Sequence, residues 1–273
     1  MSNVDLNNCV NCPVHNLGNL KKLGINMSNF DFVVALAGNP NTGKSTVFNY
    51  LTGLRQHTGN WPGKTVTRAE GGFEYSDKKF KLVDLPGTYS LLSTSTDEEV
   101  ARDFILFGQP DVTVIVVDAT RIERNLNLVL QILEITDRAV VCLNLIDEAT
   151  RNGIKIDYRA LSKELGVPVI PTAARQGDGM DELLKTVFDV ATGNYNCKPH
   201  RIKSNSKELN AAIDKLSNEI AIEYPGLPNN RWVALRLLEG DQSIIEAIRT
   251  GELGNLKKEA GINPALAESE LER

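Results

Sequence analysis

The chain has 273 residues, of which 41% are hydrophobic and 24% charged, as is typical of a globular protein with one large and one smaller domain. This composition excludes collagen-like and disordered chains, and the net charge of −5 argues against nucleic acid as the main partner. No stretch approaches 18 uncharged apolar residues and the first residues lack a signal peptide's pattern, so we expect the chain as given to be soluble and cytosolic.

Residues 1–29 are predicted to be an N-terminal extension. Within it, Cys9 and Cys12 form a C-x-x-C pair with His15 nearby, which is half of a zinc-site spacing. Because no second ligand pair follows at a suitable spacing, a tail with two free thiols is the other interpretation. Cys142 lies in an apolar run and is expected to be a buried, reduced thiol.

The stretch "FDFVVALAGNPNTGKSTVFNYLTG" has the pattern of an apolar strand, a turn-rich loop and an amphipathic helix. From Gly38 to Ser45 the spacing is G-x-x-x-x-G-K-S, the phosphate-binding loop of nucleoside triphosphatases. Glycine lets backbone N–H groups converge on phosphate oxygens, and the helix that begins near Lys44 adds the positive end of its dipole. Lys44 is expected to reach the β- and γ-phosphates, and the Ser45 hydroxyl to bind Mg²⁺. The nucleotide-binding residues predicted here are Gly38, Asn39, Asn41, Thr42, Gly43, Lys44, Ser45 and Thr46.

The segment 54–72 has polar and turn residues without a sustained period, which predicts a long surface loop. In this loop Thr65 and Thr67 are candidates to close over Mg²⁺. The strings "GGFEYSD" and "KKFKLVDLPG" then predict two antiparallel strands joined by a tight Asp-Lys turn.

Strand and helix patterns alternate in the next part of the chain. The apolar runs "DVTVIVV", "AVVCLNLID" and "VPVIPTAA" are strand-like, and residues 158–165 and 180–191 have helical patterns. This alternation predicts an α/β fold with a mostly parallel six- or seven-stranded sheet flanked by helices. We assign residues 30–193 to this domain.

The pattern changes after residue 193. Residues 194–205 are polar, basic and aperiodic, which predicts a linker. Residues 206–273 contain apolar positions at helical spacing and predict a small all-α domain.

Three predicted strand ends discriminate among nucleotide-binding proteins. Asp84, in "DLPG", is expected to hold Mg²⁺ through water, and the N–H of Gly87 to meet the γ-phosphate. Asn144 and Asp147, in "NLID", lie at the carboxyl edge of the sheet, where ligands bind. A carboxylate there can accept hydrogen bonds from guanine N1 and N2 but not from adenine, which predicts GTP and GDP as ligands. The backbone amides expected to contact guanine O6 belong to Thr172, Ala173 and Ala174.

The strings "GNPNTGKST", "GNWPGKTV", "DLPGTYSL" and "NLID", followed by a helical domain, resemble the cytoplasmic G domain of the FeoB ferrous-iron transporters. The resemblance covers roughly Asp31 to Ala191, and the helical part resembles that family's domain with guanine-nucleotide dissociation inhibitor activity. It implies that Thr65 is the Mg²⁺-sensing threonine of switch I and that Gly87 begins switch II. It also implies that a membrane permease follows in the same longer chain, at the cytoplasmic face of the inner membrane. Whether the chain forms a homo-oligomer stays open.

Asn41 occupies the fourth position of the phosphate-binding loop. In related GTPases with this asparagine, K⁺ takes the role of an arginine finger, and the resemblance implies that Asn41 is a K⁺ ligand here. Backbone carbonyls around Asn60 and Trp61 are the further ligands expected. The other interpretation is that Asn41 only stabilises the loop through a local hydrogen bond. The predicted catalytic residues are Asn41, Lys44, Thr65 and Gly87.

Two positions depart from the broader GTPase pattern. Leu145 replaces the lysine usual after the base-reading Asn, and Thr88 stands where a water-orienting Gln often lies, which predicts slow hydrolysis. The favoured function is a GTP-binding, slowly GTP-hydrolysing regulatory domain of a ferrous-iron transporter. The alternatives are an RNA- or ribosome-associated assembly GTPase, which would carry a basic appendage, and a nucleotide-binding module without meaningful turnover.

Overall fold

The structure, a computed structural model, describes residues 20–21, 23–92, 95–201, 206–224, 227 and 229–249. Cys9, Cys12 and His15 lie outside the described residues, as do most of the predicted N-terminal extension and part of the predicted linker. The last third of the predicted helical domain also lies outside them. Residues Leu23–Ile202 form one compact unit, and the helices from Lys207 to Arg249 belong to a second.

The described strands form one sheet of seven strands in the order β2-β3-β4-β1-β5-β6-β7. The β4-β1-β5-β6-β7 pairs are parallel, whereas β2-β3 and β3-β4 are antiparallel. This confirms the predicted α/β class with a mostly parallel sheet. The strands are β1 Phe32–Gly38, β2 Gln56–Asn60, β3 Thr67–Tyr75, β4 Lys78–Asp84, β5 Val112–Asp118, β6 Ala139–Asn144 and β7 Val169–Pro171.

The helices of the sheet unit connect these strands. Several begin with a side chain that accepts a hydrogen bond from the first turn, such as Ser95 from the N–H of Glu98 and Asp157 from that of Ala160. A 3₁₀ turn at Ala119–Arg121 precedes α3. The described helices of this unit are α1 Lys44–Thr52, α2 Thr96–Gly108, α3 Ile122–Ile135, α4 Ile146–Arg151, α5 Tyr158–Leu165 and α6 Met180–Ala191.

The structure differs from the sequence prediction in the segment predicted to be a long loop. Residues Gln56–Asn60 form the edge strand β2, and the following strand begins at Thr67, so the loop is a hairpin. The tight turn before β4 is made by Ser76 and Asp77, both with positive φ (49° and 61°), one residue before the predicted Asp-Lys pair. Two residues in the left-handed region give a hairpin turn whose twist matches that of the strands.

The main core lies between the sheet and helices α1 and α6. Central strands are buried on both faces, so their sequences are continuous apolar runs, as in "VTVIVVD" of β5. Phe80 of β4 is fully buried and stacks on Phe73, with ring centroids 4.9 Å apart. Val47 and Phe48 of α1 pack into the same cluster, which fixes the start of that helix at the end of β1.

The second unit contains helices only among its described residues: α7 Lys207–Glu223, α8 Asn230–Leu238 and α9 Gln242–Arg249. Ser206 and Asn229 accept hydrogen bonds at the starts of α7 and α8. Ile213, Ile220 and Trp232 are buried there. In the part of the chain that the structure describes, no helix has the length and apolar character needed to span a membrane.

Candidate nucleotide-binding site

The phosphate-binding loop runs from the end of β1 into α1. Its geometry demands glycine at Gly43, which has φ 82° and ψ 18°, and whose added Cβ would collide with the side-chain amide of Asn144. Among the described residues, no acceptor is bound to the backbone N–H groups of Asn41 to Ser45. The side-chain nitrogen of Asn39 is also buried without a partner. These groups form a concentration of unpaired donors at a helix N-terminus, which is the donor set that a polyphosphate requires.

Lys44 places its ammonium group at the mouth of this loop. Its Nζ pairs with the Asp84 carboxylate and donates to the Leu85 carbonyl at 2.8 Å. Burial raises the pKa of Asp84, and the charge of Lys44 partly offsets that rise. The predicted Mg²⁺-binding carboxylate and the predicted phosphate-binding lysine are therefore brought together.

Asn144 is a structural link between the phosphate-binding loop and the loop after β7. It is 1% exposed, and its Nδ2 donates to the Thr42 carbonyl at 3.0 Å. Its Oδ1 accepts from the N–H of Ala174 at 3.1 Å and from the Thr172 hydroxyl at 3.3 Å. The sequence placed Asn144 near the ligand but gave no indication of this link.

Asp147 lies in the first turn of α4, directly after the end of β6. Its Oδ2 accepts from Arg151 at 3.1 Å and from the Gln176 amide at 3.2 Å, while Oδ1 has no hydrogen bond among the described residues. Leu145, which precedes this helix, has φ 62°, a strained value for a side chain of its size. The strain turns the chain sharply between Asn144 and Asp147.

The predicted contacts to guanine O6 meet a difficulty in the structure. The N–H groups of Thr172 and Ala173 donate to the carbonyls of Leu143 (2.8 Å) and Asp178 (3.0 Å), and that of Ala174 donates to Asn144. None of the three is free for the predicted contact in this arrangement. The N–H of Arg175, which the sequence analysis did not select, has no acceptor among the described residues.

Thr65 lies in the turn between β2 and β3, residues 61–66, which we call the switch I turn. Thr65 is exposed, and among the described residues no hydrogen bond joins it to Ser45 or Asp84. Lys64 of the same turn pairs with Glu99 of α2 at 2.6 Å. The structure therefore does not bring this predicted Mg²⁺ ligand to the phosphate-binding loop, although Thr65 remains a predicted one.

The segment after β4, predicted as switch II, lies against the phosphate-binding loop. The N–H of Leu85 donates to the Leu36 carbonyl at 3.0 Å, and that of Thr88 to the Gly38 carbonyl at 3.3 Å. Thr88 is 5% exposed. A hydroxyl with so little exposure is poorly placed to orient a water molecule.

The site lacks a ready-made cage of metal ligands. Within the described ranges, no group of three or more His, Cys, Asp or Glu side chains could hold a metal ion. A Mg²⁺ ion bound mainly by hydroxyl, phosphate and water oxygens needs no such group. The single buried carboxylate Asp84 and the Ser45 hydroxyl at the start of α1 fit that kind of site.

Comparison with known proteins decides the family. Residues 32–187 match the family described as Ferrous iron transport protein B, and residues 206–271 match the FeoB cytosolic helical domain. The chain belongs to the ferrous iron transport protein B family.

Curated FeoB relatives are much longer than this chain. The Fe(2+) transporter FeoB of Salmonella typhimurium is 45% identical over 212 residues, which cover 76% of this chain and 27% of the relative. The FeoB of Escherichia coli (strain K12) is 44% identical over 212 residues with the same coverage. The chain thus spans about a quarter of the length of these relatives.

Solved FeoB structures share the fold. The cytosolic domain of T. maritima FeoB in a GDP form has a TM-score of 0.72 at 38% identity, covering 82% of this chain and 86% of that chain. The FeoB G domain from Methanococcus jannaschii has a TM-score of 0.53 at 46% identity, covering 59% of this chain and 97% of that one. The sheet unit is therefore a FeoB G domain with a P-loop GTPase fold, and it is followed by the FeoB helical domain.

Proposed function

We propose that this chain binds GTP and GDP, hydrolyses GTP slowly, and regulates a ferrous-iron transporter of which it is the cytoplasmic portion. The observation that carries the proposal is the row of unpaired N–H groups from Asn41 to Ser45, beside the ammonium of Lys44. Solved relatives described as GDP and GMPPNP forms of the T. maritima cytosolic domain support guanine nucleotides as the ligands.

The phosphate end of the nucleotide is proposed to bind along this loop. The N–H groups of residues 41–45 donate to phosphate oxygens, and Lys44 exchanges part of its contact with Asp84 for them. Ser45, Thr65 and Asp84 are the proposed magnesium ligands, Asp84 through water. When bound, Mg²⁺ supplies positive charge that offsets the charge developing on the phosphates.

The base end is proposed to bind beside α4. Asp147 already has one free oxygen, and its other oxygen releases Arg151 and Gln176 to accept from the guanine edge. Asn144 holds the two loops at a fixed separation, so it positions the base and phosphate sites relative to each other. The N–H of Arg175 is a further proposed donor to O6.

Asn41 is the proposed potassium ligand. It is exposed at the loop tip with φ 66°, so its amide oxygen is available to a monovalent ion that carries positive charge to the transition state. Slow intrinsic hydrolysis is proposed because Thr88 is buried and its N–H is engaged by Gly38.

Titration with a fluorescent GDP analogue tests nucleotide binding. We expect wild-type protein to bind it, GDP and GTP to displace it, and ATP to fail, since adenine offers no donors to Asp147. Lys44→Ala should weaken GTP binding at least tenfold through loss of charge-assisted bonds worth about 1.5 to 3 kcal/mol. Lys163→Ala, at an exposed position of α5, is the matched control and should bind as wild type. Displacement by ATP as efficient as by GTP would overturn the guanine assignment.

The transport role concerns the longer protein. We propose that a permease portion of the same chain carries Fe²⁺ at the cell membrane and that this portion regulates it from the cytoplasmic face. Iron uptake by cells that express the full-length protein should fall in the Asp147→Asn variant at equal protein level. Unchanged uptake would argue against regulation by GTP.

A further inference from the structure

Trp61 docks the switch I turn onto the sheet unit. Its ring is 3% exposed and packs edge-on against Phe104 of α2, with ring centroids 5.4 Å apart. The turn is internally hydrogen bonded, since the N–H of Trp61 donates to Val66 and the N–H of Lys64 donates to Trp61, both at 3.0 Å. Because Thr65 lies inside this hydrogen-bonded turn, Thr65 and Trp61 move together.

Arg68 of β3 joins this docked turn to the segment that precedes β1. Its guanidinium lies 5.3 Å from the centre of the Trp61 ring, a cation–π contact. Its two terminal nitrogens donate to the carbonyls of Leu23 (2.8 Å) and Gly24 (3.1 Å), and Nε pairs with Glu70 at 2.8 Å. One side chain, 14% exposed, therefore contacts the turn, the strand and the preceding segment.

Arg68 can be removed without stranding a buried charge. The second carboxylate oxygen of Glu70 pairs with Lys81 at 2.5 Å, so Glu70 keeps a cationic partner when Arg68 is replaced. The indole nitrogen of Trp61, by contrast, is buried without an acceptor. That unpaired donor opposes docking, so the docked turn depends on the contacts that Arg68 supplies.

Gly24 is fitted closely to this arrangement. It has φ 78°, and an added Cβ would lie 2.6 Å from Nη1 of Arg68 and 3.1 Å from Cγ of Pro62 in the switch I turn. A side chain at this position would push on both the guanidinium and the turn. Gly153 has a similar φ of 72° but nothing within 4 Å, so it provides a matched control.

We infer that Arg68 is a positioning residue that holds the switch I turn away from the magnesium site, using the backbone of Leu23 and Gly24 as its support. This inference rests on the proposed GTP function. Neighbouring ligands of an octahedral Mg²⁺ lie about 3 Å apart, since each is about 2.1 Å from the ion. Thr65 and Ser45 are not hydrogen bonded to each other, so Thr65 reaches such a site only if the turn leaves its docked position.

The consequence is a difference between two nucleotides. A ligand that recruits Thr65 must break the contacts of Arg68, and its affinity is lowered by the stability of those contacts. GDP does not offer the γ-phosphate that recruits switch I, so its affinity is unaffected. Weakening the contacts of Arg68 should therefore tighten Mg·GMPPNP binding about three- to tenfold and leave GDP binding unchanged.

The test uses the full chain carrying Trp232→Phe, which leaves Trp61 as its single tryptophan. Acrylamide quenching of Trp61 fluorescence is measured without nucleotide for the parent and for Arg68→Ala, Arg68→Lys, Gly24→Ala and Gly153→Ala. Binding of GDP and of Mg·GMPPNP is then measured by calorimetry for each protein. We expect Arg68→Ala and Gly24→Ala to raise quenching and tighten only Mg·GMPPNP, with Gly153→Ala unchanged and Arg68→Lys intermediate.

Two results would overturn the inference. One is quenching in Gly24→Ala that equals quenching in Gly153→Ala, which would show that the preceding segment does not support the turn. The other is an equal change of GDP and Mg·GMPPNP affinity, which indicates a general structural effect. If no protein binds either nucleotide, the proposed function fails and the regulatory role of Arg68 fails with it, while the quenching data still decide whether Arg68 docks the turn.

Discussion

Asn144→Ala should disconnect the phosphate-binding loop from the loop after β7. The substitution removes three hydrogen bonds, to Thr42, Thr172 and Ala174, from a side chain that is almost fully buried. At about 0.5 to 1.5 kcal/mol for each bond, the loss is about 2 to 4 kcal/mol. The upper part of that range applies because the Thr42 carbonyl and the Ala174 N–H lose their partners.

This free energy should appear partly as lower stability and partly as weaker binding. A nucleotide that binds to loops no longer held by Asn144 must order them itself, and that cost reduces its affinity. We expect urea denaturation to show a loss of stability and a fluorescent GDP titration to show at least tenfold weaker binding. Since 1.4 kcal/mol corresponds to tenfold, the combined loss should not exceed about 4 kcal/mol.

Asn125→Ala is the matched control. Asn125 of α3 is also buried, and its side chain hydrogen bonds to the backbone of Arg121 (2.9 Å) and Asp118 (3.4 Å). It contacts neither loop through these bonds, so its replacement should lower stability and leave GDP affinity unchanged. If folded Asn144→Ala binds GDP within twofold of wild type, Asn144 does not position the site and the reasoning is refuted.

Asp147→Asn should weaken GTP binding by about 1.5 to 3 kcal/mol and favour xanthosine triphosphate, whose C2 carbonyl suits an amide donor; unchanged GTP binding by calorimetry would contradict the guanine assignment. GTP hydrolysis should be faster in potassium than in sodium at equal ionic strength, with Asn41→Ala removing the difference but binding GDP nearly normally; equal wild-type rates would refute the cation role. A chain that ends at Gly193 should release GDP faster in stopped-flow measurements, because the helical domain follows the helix after the base loop; equal rates from two folded proteins would exclude this. Burial raises the pKa of Cys142 from its ordinary 9.0 to about 12, so the unfolded thiol ionises first as pH rises above 9.0. The stability of wild type relative to Cys142→Ala should therefore fall by up to about 1.4 kcal/mol per pH unit above that point, and a constant difference in urea denaturation would disprove it.

Local patterns carried much of the fold prediction. The spacing from Gly38 to Ser45 is encoded in consecutive residues, and helices α5 and α6 begin and end where their apolar periodicity and flanking glycines indicate. Helix α2 was missed although a signal was present: Ser95 is followed by three acidic residues and accepts the N–H of Glu98.

Tertiary contacts account for what the sequence did not reveal. Strand β2, "QHTGN", has no alternation because its pairing partner β3, not a buried face, holds it in place. Asn144 lies 102 residues from Thr42 and 30 from Ala174, and no local pattern reports bonds at such separations. The contact between Trp61 and Phe104 is equally non-local, although a tryptophan inside a polar loop was a signal that it needs a buried place.

The edge position of β2 sets where the sheet can open. Every other described strand except β7 lies between two neighbours, whereas β2 pairs with β3 alone, over residues 56–60. Detaching β2 therefore exposes one ladder and leaves the pairs of β1 with β4 and β5 intact. Amide hydrogen exchange should show this as a gradient, with β2 exchanging fastest and β1 and β5 slowest. The G domain can thus rearrange its switch I hairpin by a local opening, at a free energy far below that of unfolding the sheet.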